Sequence, residues 1–189
     1  SEKDKKDIII KLAKSKNEIS ISSLAEKNAK QSLKQKLVQS DTNNNLIEEL
    51  ASKFNINNNI ELIEVYDNSH IQGTDSVGSL ICFGNEGFVK KRYRKFNIKD
   101  EKVKNDDYGM MKEVLFRRFS KAIKEKSGSL SLPDLIMIDG GKGQYSVSRE
   151  VLNELGLHDL PILAVAKGKR RNAGEEKIYY KNKEYILER

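Results

Sequence analysis

Residues 135–144 read Leu-Ile-Met-Ile-Asp-Gly-Gly-Lys-Gly-Gln, an apolar run that ends at an aspartate and continues into a glycine-rich turn. Residues 63–73 follow the same plan, with the sequence Ile-Glu-Val-Tyr-Asp-Asn-Ser-His-Ile-Gln-Gly. Short apolar runs bounded by turn residues are typical of buried β-strands. Asp67 and Asp139 therefore lie at the ends of two predicted strands, where a side chain is held in direction by the sheet and open to solvent.

Two such carboxylates on neighbouring strands would form a hard-oxygen site suited to Mg²⁺ or Mn²⁺. Phosphodiester hydrolysis uses such a site, since the metal activates water and stabilises charge on phosphate oxygens. The simpler alternative is that each aspartate forms a turn or caps a helix, as Asp139 would before Gly140 and Gly141.

Several motifs resemble the UvrC family, the C subunit of the bacterial UvrABC excision-repair nuclease, in both order and spacing. They are residues 63–73, Asp106-Asp107-Tyr108, residues 133–144 and Ala166-Lys167-Gly168, and residues 24–29 resemble the helix that precedes its C-terminal endonuclease domain. The resemblance covers roughly residues 22–189. It implies an α/β fold with a ribonuclease-H-like mixed sheet, in the order βββαβαβ, after an N-terminal helical segment.

The resemblance also implies roles for individual residues. It places catalytic metal ligands at Asp67 and Asp139, and a functionally important acid at Asp107, for which we predict an outer-shell role. For Asp107 the alternative is helix capping or a favourable interaction with the helix dipole. Ser69 and His70 belong to the Asp-x-Ser-His signature, which suggests a phosphate contact or a supporting hydrogen bond. The implied activity is incision 5′ to a lesion in double-stranded DNA, with Mg²⁺ or Mn²⁺ as cofactor and UvrB as partner, within nucleotide excision repair and the SOS response.

The chain lacks parts of the UvrC pattern. The last catalytic histidine and the helix–hairpin–helix module would lie beyond residue 189, and the GIY-YIG nuclease and UvrB-binding segment are missing. His158 does not have the motif of that histidine. We therefore expect an excerpt or a truncated product, and a catalytically silent scaffold that binds DNA or a partner protein is the alternative function. Another ribonuclease-H-like nuclease, such as a resolvase, fits the motif set less well.

Basic residues are concentrated in one part of the chain. The net charge is +7, and residues 89–126 hold 14 Lys or Arg against 6 Asp or Glu. Clustered cations beside an acidic site suit a phosphate backbone, whereas a solvated lysine-rich surface is the alternative. The predicted DNA contacts are Arg117, Arg118, Lys142, Lys167, Lys169 and Arg170.

The glycine-rich turn after Asp139 is not a P-loop. That motif needs glycine five residues before its Gly-Lys pair and Ser or Thr after it. Ile136 and Gly143 occupy those positions. We expect instead that the turn lets the backbone approach phosphate, with Lys142 as a point charge.

Periodicity divides the chain into an N-terminal helical segment, residues 1–57, and an endonuclease domain, residues 58–189, which is expected to be incomplete at its C-terminus. In the segment we predict helices over 7–16, 23–39 and 46–54, with a loop over 40–45. In the domain we predict strands over 61–66, 76–83, 88–96, 135–138 and 162–165, helices from Asp106 or Asp107 to Lys126 and over 144–155, and a hairpin over 177–187.

No apolar run approaches 18 residues, and no basic-then-apolar leader is present, so we predict neither a membrane span nor a secretory signal. The single cysteine, Cys82, has no partner for an internal disulfide. We expect it to be a buried apolar side chain in a protein of the reducing cytoplasm.

Overall fold

The computed structural model describes residues 11–56, 59–71, 75–101, 103, 106–125, 131–168 and 176–186. Contacts divide the chain into two compact units, Ser1–Gln39 and Ser40–Arg189. In the first unit, every described side chain from residue 11 to residue 39 is exposed. The predicted division at residues 57 and 58 stays a prediction.

Helix α1 spans Lys16–Lys53. Its start is capped reciprocally, since the Glu18 amide donates to Ser15 Oγ and the Ser15 amide donates to Glu18 Oε2. The predicted loop over 40–45 is wrong, because these residues continue the helix. Asn43 is buried and its Nδ2 donates to the Asn85 carbonyl at 3.3 Å, so packing overrides the turn preference of Ser, Asp and Asn.

The predicted helix over 7–16 does not extend over residues 11–14, and residues 7–10 lie outside the described part of the chain. Each helix that the structure describes is too short or too polar to cross a lipid bilayer.

The remaining elements form a mixed sheet with two further helices. The described strands are β1 (Leu62–Ile71), β2 (Asp75–Gly84), β3 (Gly87–Phe88), β4 (Arg94–Asn97), β5 (Leu135–Asp139), β6 (Ile162–Ala166), β7 (Lys177–Tyr180) and β8 (Lys183–Ile186), and the helices are α2 (Asp107–Glu125) and α3 (Lys142–Glu154). They pair in the order β3-β2-β1-β5-β6-β7-β8, and β4 also pairs with β2. The parallel pairs are β1 with β5 and β5 with β6. The predicted βββαβαβ order and the pairing of its first and fourth strands are confirmed.

The predicted third strand, residues 88–96, is wrong as one element. It is divided into β3 and β4 by a 3₁₀ turn, Lys90–Arg92. The Arg94 guanidinium donates to the Lys91 and Tyr93 carbonyls, which holds these carbonyls within the turn and away from a strand partner. Both short strands pair only with β2 among the described strands, which agrees with the outer position predicted from their basic residues.

Both faces of the sheet are covered. On one face, α2 and α3 enclose a core that includes Tyr66 and Ile138, each 0% exposed. On the other face, Ile47 and Phe54 from the end of α1 pack near the sheet residues Ile63, Leu135, Leu163 and Ile178. Side chains along a strand alternate between the faces, so the position of each residue in β1 and β5 decides which core it joins.

Cys82 is fully buried, which confirms the prediction of an apolar filler. Desolvation first, and then the Glu64 carboxylate, raise the pKa of the Cys82 thiol to about 11. The thiol is therefore protonated at neutral pH and is chemically inert.

Gly78 allows α2 to pack closely on β2. A Cβ at this position would lie 2.4 Å from Val114 Cγ2, and Val114 is buried. We expect Gly78→Ala to destabilise the fold by about 1–3 kcal/mol, because the helix must move away from the sheet. Urea unfolding followed by circular dichroism measures this cost. In a double variant, Val114→Ala makes room for the added methyl group, so the combined cost should be smaller than the sum of the two single costs. Strict additivity would contradict the close-packing argument.

Candidate metal and nucleic-acid site

Asp67 and Asp139 lie side by side on one face of the sheet. The last parallel pair of β1 and β5 is Tyr66 with Ile138, and each aspartate is the next residue of its strand. Asp139 ends β5 as predicted, but the predicted strand end at Asp67 is wrong, because β1 stays paired with β2 as far as Ile71. Since Tyr66 and Ile138 point into the core beneath α2 and α3, alternation directs both carboxylates to the opposite face. The structure thus brings together two side chains that are far apart in sequence.

The two carboxylates influence each other electrostatically. Desolvation of its partly shielded carboxyl group, and then repulsion from Asp139, raise the pKa of Asp67. The positive charge of Lys167 and the backbone amide of Asn68 act in the opposite direction. Asp67 and Asp139 can carry two negative charges, whereas Lys167, which contacts Asp139, supplies one positive charge.

Lys167 contacts this site directly. Its Nζ lies 2.9 Å from Asp139 Oδ2, and the side chains are 69% and 36% exposed, respectively. The contact follows from the sheet, because Asp139 pairs with Val165 and the Gly140 amide donates to the Val165 carbonyl at 3.0 Å. Lys167 comes two residues after Val165 and so reaches the carboxylate. From its sequence position Lys167 is predicted only as a DNA contact, whereas the structure also pairs it with Asp139.

Helix α3 is not capped by Asp139. Its N-cap residue is Gly141, whose amide donates to Gln144 Oε1 at 3.1 Å. The alternative that Asp139 caps α3 is therefore wrong, and its carboxylate contacts Lys167 instead.

The capping function that was an alternative for Asp107 belongs to its neighbour. Asp106 Oδ1 accepts a hydrogen bond from the Tyr108 amide at 3.0 Å, and its carbonyl accepts one from the Met110 amide. Asp107 is the first residue of α2 and is exposed. Its carbonyl oxygen accepts from Asn68 Nδ2 at 3.1 Å, so the residue after Asp67 ties the head of α2 to β1.

The bond from Asn68 to the Asp107 carbonyl was not predicted. In the sequence, only the position of Asn68 directly after Asp67 points to this region.

Tyr108 connects the head of α2 with the start of α3. The Tyr108 ring packs directly on Gly143, so a Cβ at this position would require the ring to shift. Tyr108 is 48% exposed and presents part of an aromatic ring to solvent beside the turn that follows Asp139.

The oxygen atoms of Asp67 and Asp139 are the ligand type that Mg²⁺ and Mn²⁺ prefer. The excess negative charge of the pair also fits a divalent cation. Within the described ranges, no group of three or more His, Cys, Asp or Glu side chains is close enough to hold a metal ion. Water or phosphate oxygens would have to complete the coordination.

Ser79 and Lys95 lie in the same row of paired residues across the sheet as Asp67, and the sequence did not predict either of them. Asp67 pairs with Ser79 of β2, and Ser79 pairs with Lys95 of β4. Residues paired across neighbouring strands share a face, so Ser79 and the exposed Lys95 lie on the face of the two aspartates. Only the strand register could identify them, because nothing in the local sequence distinguishes Lys95 from neighbouring basic residues.

Besides Lys167, two of the predicted DNA contacts are at the surface. Lys142 is exposed and begins α3. Arg117 is partly exposed, with its NH1 donating to the Asn97 carbonyl at 2.8 Å and to Glu113 Oε1 at 2.9 Å. Its guanidinium also lies over the ring of Phe96.

The prediction that Arg118 contacts DNA is wrong, because its side chain is in the protein interior. Arg118 is 4% exposed, and its NH2 donates to Glu64 Oε1 at 2.5 Å and to the Ser131 carbonyl at 2.9 Å. An arginine next to the apolar stripe of a helix cannot be assigned to the core from its spacing alone, since this depends on a buried acid from another element.

The remaining predicted contacts are not described in enough detail to be placed. Ser69 and His70 lie in β1, but their side chains are outside the described part of the structure. Lys169 and Arg170 lie wholly outside the described residues.

Residues 51–189 match the sequence model of the UvrC RNAse H endonuclease domain. Curated relatives named UvrABC system protein C include one from Cereibacter sphaeroides, 49% identical over 158 residues, and one from Ruegeria sp. (strain TM1040), 44% identical over 182 residues. These alignments cover 82% and 95% of this chain, but only 25% and 29% of the relatives. The chain thus spans about a quarter of the length of the curated relatives it matches.

Among solved structures, human ENDOV aligns with a TM-score of 0.40 and 15% identity, over 57% of this chain and 46% of that chain. Ciona intestinalis endonuclease V, crystallised with a DNA containing inosine, aligns with a TM-score of 0.41 and 14% identity, over 78% and 59% of the respective chains. Similarity at this level is too weak to support an inference.

Proposed function

The chain belongs to the UvrC family, and from this premise we propose that it is part of a nucleotide-excision-repair endonuclease that cuts the damaged strand 5′ to the lesion. The reaction is divalent-metal-assisted hydrolysis of a phosphodiester bond. The observation that carries the proposal is the placement of Asp67 and Asp139 in one row at the open end of the parallel strands. Damaged double-stranded DNA is the substrate, and UvrB binds through a segment outside these 189 residues.

Asp67 and Asp139 would hold Mg²⁺ or Mn²⁺ between them. The bound cation lowers the pKa of a water molecule and stabilises the charge that develops on the phosphate. The two strands supply rigid support, because each aspartate follows a backbone-paired residue and Gly140 is tied to Val165. Asp107 has an outer-shell role at the head of α2, where Asn68 ties its backbone to β1.

Basic side chains around the row hold the DNA backbone in this proposal. Lys95 lies in β4 and Lys167 directly follows β6, so the two lysines are on either side of the two aspartates. Lys142, Arg117, Ser69 and His70 extend the contact surface, together with Lys169 and Arg170. Contacts of this kind weaken as salt rises, because each neutralised phosphate releases counterions.

A divalent-metal titration of the 189-residue chain tests the metal site. We expect saturable Mn²⁺ binding by isothermal titration calorimetry, and a loss of affinity of roughly 100-fold or more in Asp67→Asn, since a neutral amide replaces a charged ligand. Asp159→Asn is the matched control, because it makes the same change at an exposed loop residue before β6 and should bind Mn²⁺ like the original chain. Equal affinity in Asp67→Asn and the original chain would contradict the assignment.

The second candidate function is a catalytically silent scaffold that binds DNA or a partner protein. It is favoured by one observation, that no third His, Cys, Asp or Glu side chain among the described residues joins Asp67 and Asp139 in a metal-binding group. If the 189-residue chain shows no saturable Mn²⁺ binding but binds duplex DNA in a salt-dependent way, the scaffold function is supported and the nuclease function of this chain is not.

A further inference from the structure

We propose that Lys167 is the resident counter-cation of the two aspartates, and that it is displaced when a divalent ion binds. The inference rests on the proposed function, since it concerns the same site. It assigns to Lys167 a positioning role in the metal-free state, in addition to a contact with DNA.

The geometry for this role is a direct ion pair at the end of the sheet. Lys167 Nζ lies 2.9 Å from Asp139 Oδ2, within charge-assisted hydrogen-bonding distance. The ammonium group thus bonds to one of the two carboxylate oxygens that a metal ion at Asp139 would use. Its positive charge also acts on Asp67, so it serves both carboxylates.

Two neighbouring carboxylates repel each other when both are ionised. The ammonium group of Lys167, bonded to Asp139, reduces that repulsion while no metal is bound. A divalent ion carries twice the charge and accepts several oxygen ligands, so it replaces the ammonium at Asp139. Lysine is suited to this exchange, because its charge is compact and its four-carbon stem is flexible.

The exposure of the pair keeps the exchange reversible. Lys167 is 69% exposed and Asp139 is 36% exposed, and exposed ion pairs are weak. The lysine is therefore a modest competitor of the metal ion. Once displaced, its ammonium group remains at the edge of the site, where it would contact a phosphate oxygen of the substrate.

The test compares Mn²⁺ affinity in the original chain, Lys167→Met and Lys183→Met, measured by isothermal titration calorimetry. We expect Lys167→Met to bind Mn²⁺ about two- to five-fold more tightly, the range set by the strength of an exposed ion pair. Lys183→Met removes the same charge from an exposed position on β8, and should change the affinity less than Lys167→Met does.

A second measurement follows the displacement itself. Acetylation of lysines by an N-hydroxysuccinimide ester, quantified by peptide mass spectrometry, should become faster at Lys167 when Mg²⁺ is added, while the rate at Lys183 stays the same.

The outcomes separate this inference from the proposed function. If the original chain binds Mn²⁺ and Lys167→Met binds it equally or less tightly than Lys183→Met does, or if Mg²⁺ protects Lys167 from acetylation, the displacement is wrong and the metal site remains. If the original chain does not bind Mn²⁺ or Mg²⁺ at all, the metal site fails and the displacement fails with it.

Discussion

Asp139→Asn is expected to reduce incision 5′ to a lesion by roughly 100-fold or more, because it removes one of the two charges that would hold the catalytic cation. The variant should fold normally, since Asp139 is partly exposed and does not cap α3. The change keeps the size of the side chain and removes only its charge and one ligand oxygen.

The measurement uses a chimeric C subunit, in which this chain replaces the matching residues of the Cereibacter sphaeroides relative. A duplex with one lesion and a labelled strand is incubated with the chimera, UvrA, UvrB and Mg²⁺, and the 5′ incision product is quantified. The chimera with Asp159→Asn is the matched control, because this exposed residue precedes β6, at the opposite end from the candidate site. We expect it to cut like the unaltered chimera.

Undiminished 5′ incision by the Asp139→Asn chimera would remove the basis of the proposed mechanism. If the chimera is inactive before any substitution, the Mn²⁺ titration of the 189-residue chain tests the metal site instead. Loss of incision in both Asp139→Asn and Asp159→Asn would show a general effect of the substitution, and would contradict the assignment to one end of the strands.

Breaking the buried pair of Glu64 and Arg118 is expected to have the largest effect on stability. Glu64 is 1% exposed and Arg118 is 4% exposed, and Tyr66 Oη donates to Glu64 Oε2 at 2.5 Å. Glu64→Gln or Arg118→Met should each cost about 3–5 kcal/mol, because each leaves an uncompensated charge in the interior. The network joins β1, which carries Asp67, to α2, which begins at Asp107.

Urea unfolding followed by circular dichroism measures both single variants and the double variant Glu64→Gln/Arg118→Met. The double variant removes both charges, so it should be more stable than the sum of the single costs predicts. Arg117→Met is the matched control on the same helix, since its pair with Glu113 is partly exposed and should contribute less than about 1 kcal/mol. If Glu64→Gln and Arg118→Met lower the free energy of unfolding no more than Arg117→Met does, the buried pair of Glu64 and Arg118 does not stabilise the fold as proposed.

The types and order of the main elements were predictable, because each has a local signal. The apolar runs before Asp67 and Asp139 predict strands, and apolar residues at helical spacing in α2 predict its buried face, namely Met111, Leu115, Phe119 and Ile123. The first three are buried, whereas Ile123 near the end of the helix is 38% exposed. Local signals failed where a distant contact competes with propensity. Residues 40–45 form part of a helix because Asn43 is buried and bonds to Asn85, and residues 88–96 bend because Arg94 holds the turn at Lys90–Arg92.

The sequence by itself determined that an aspartate follows each of two apolar strand segments, and that the motif set resembles the UvrC family; that β1 continues past Asp67 to Ile71 depends on its pairing with β2. The tertiary structure decided which charges meet at those aspartates. The register of β5 and β6 brings Lys167 to Asp139, and the pairing of β2 with β4 places Lys95 on the same face. Burial beside Glu64 moves Arg118 from a predicted DNA surface into the core. These contacts join residues separated by tens of positions, and strand pairing and helix packing, unlike periodicity, are set by the whole chain.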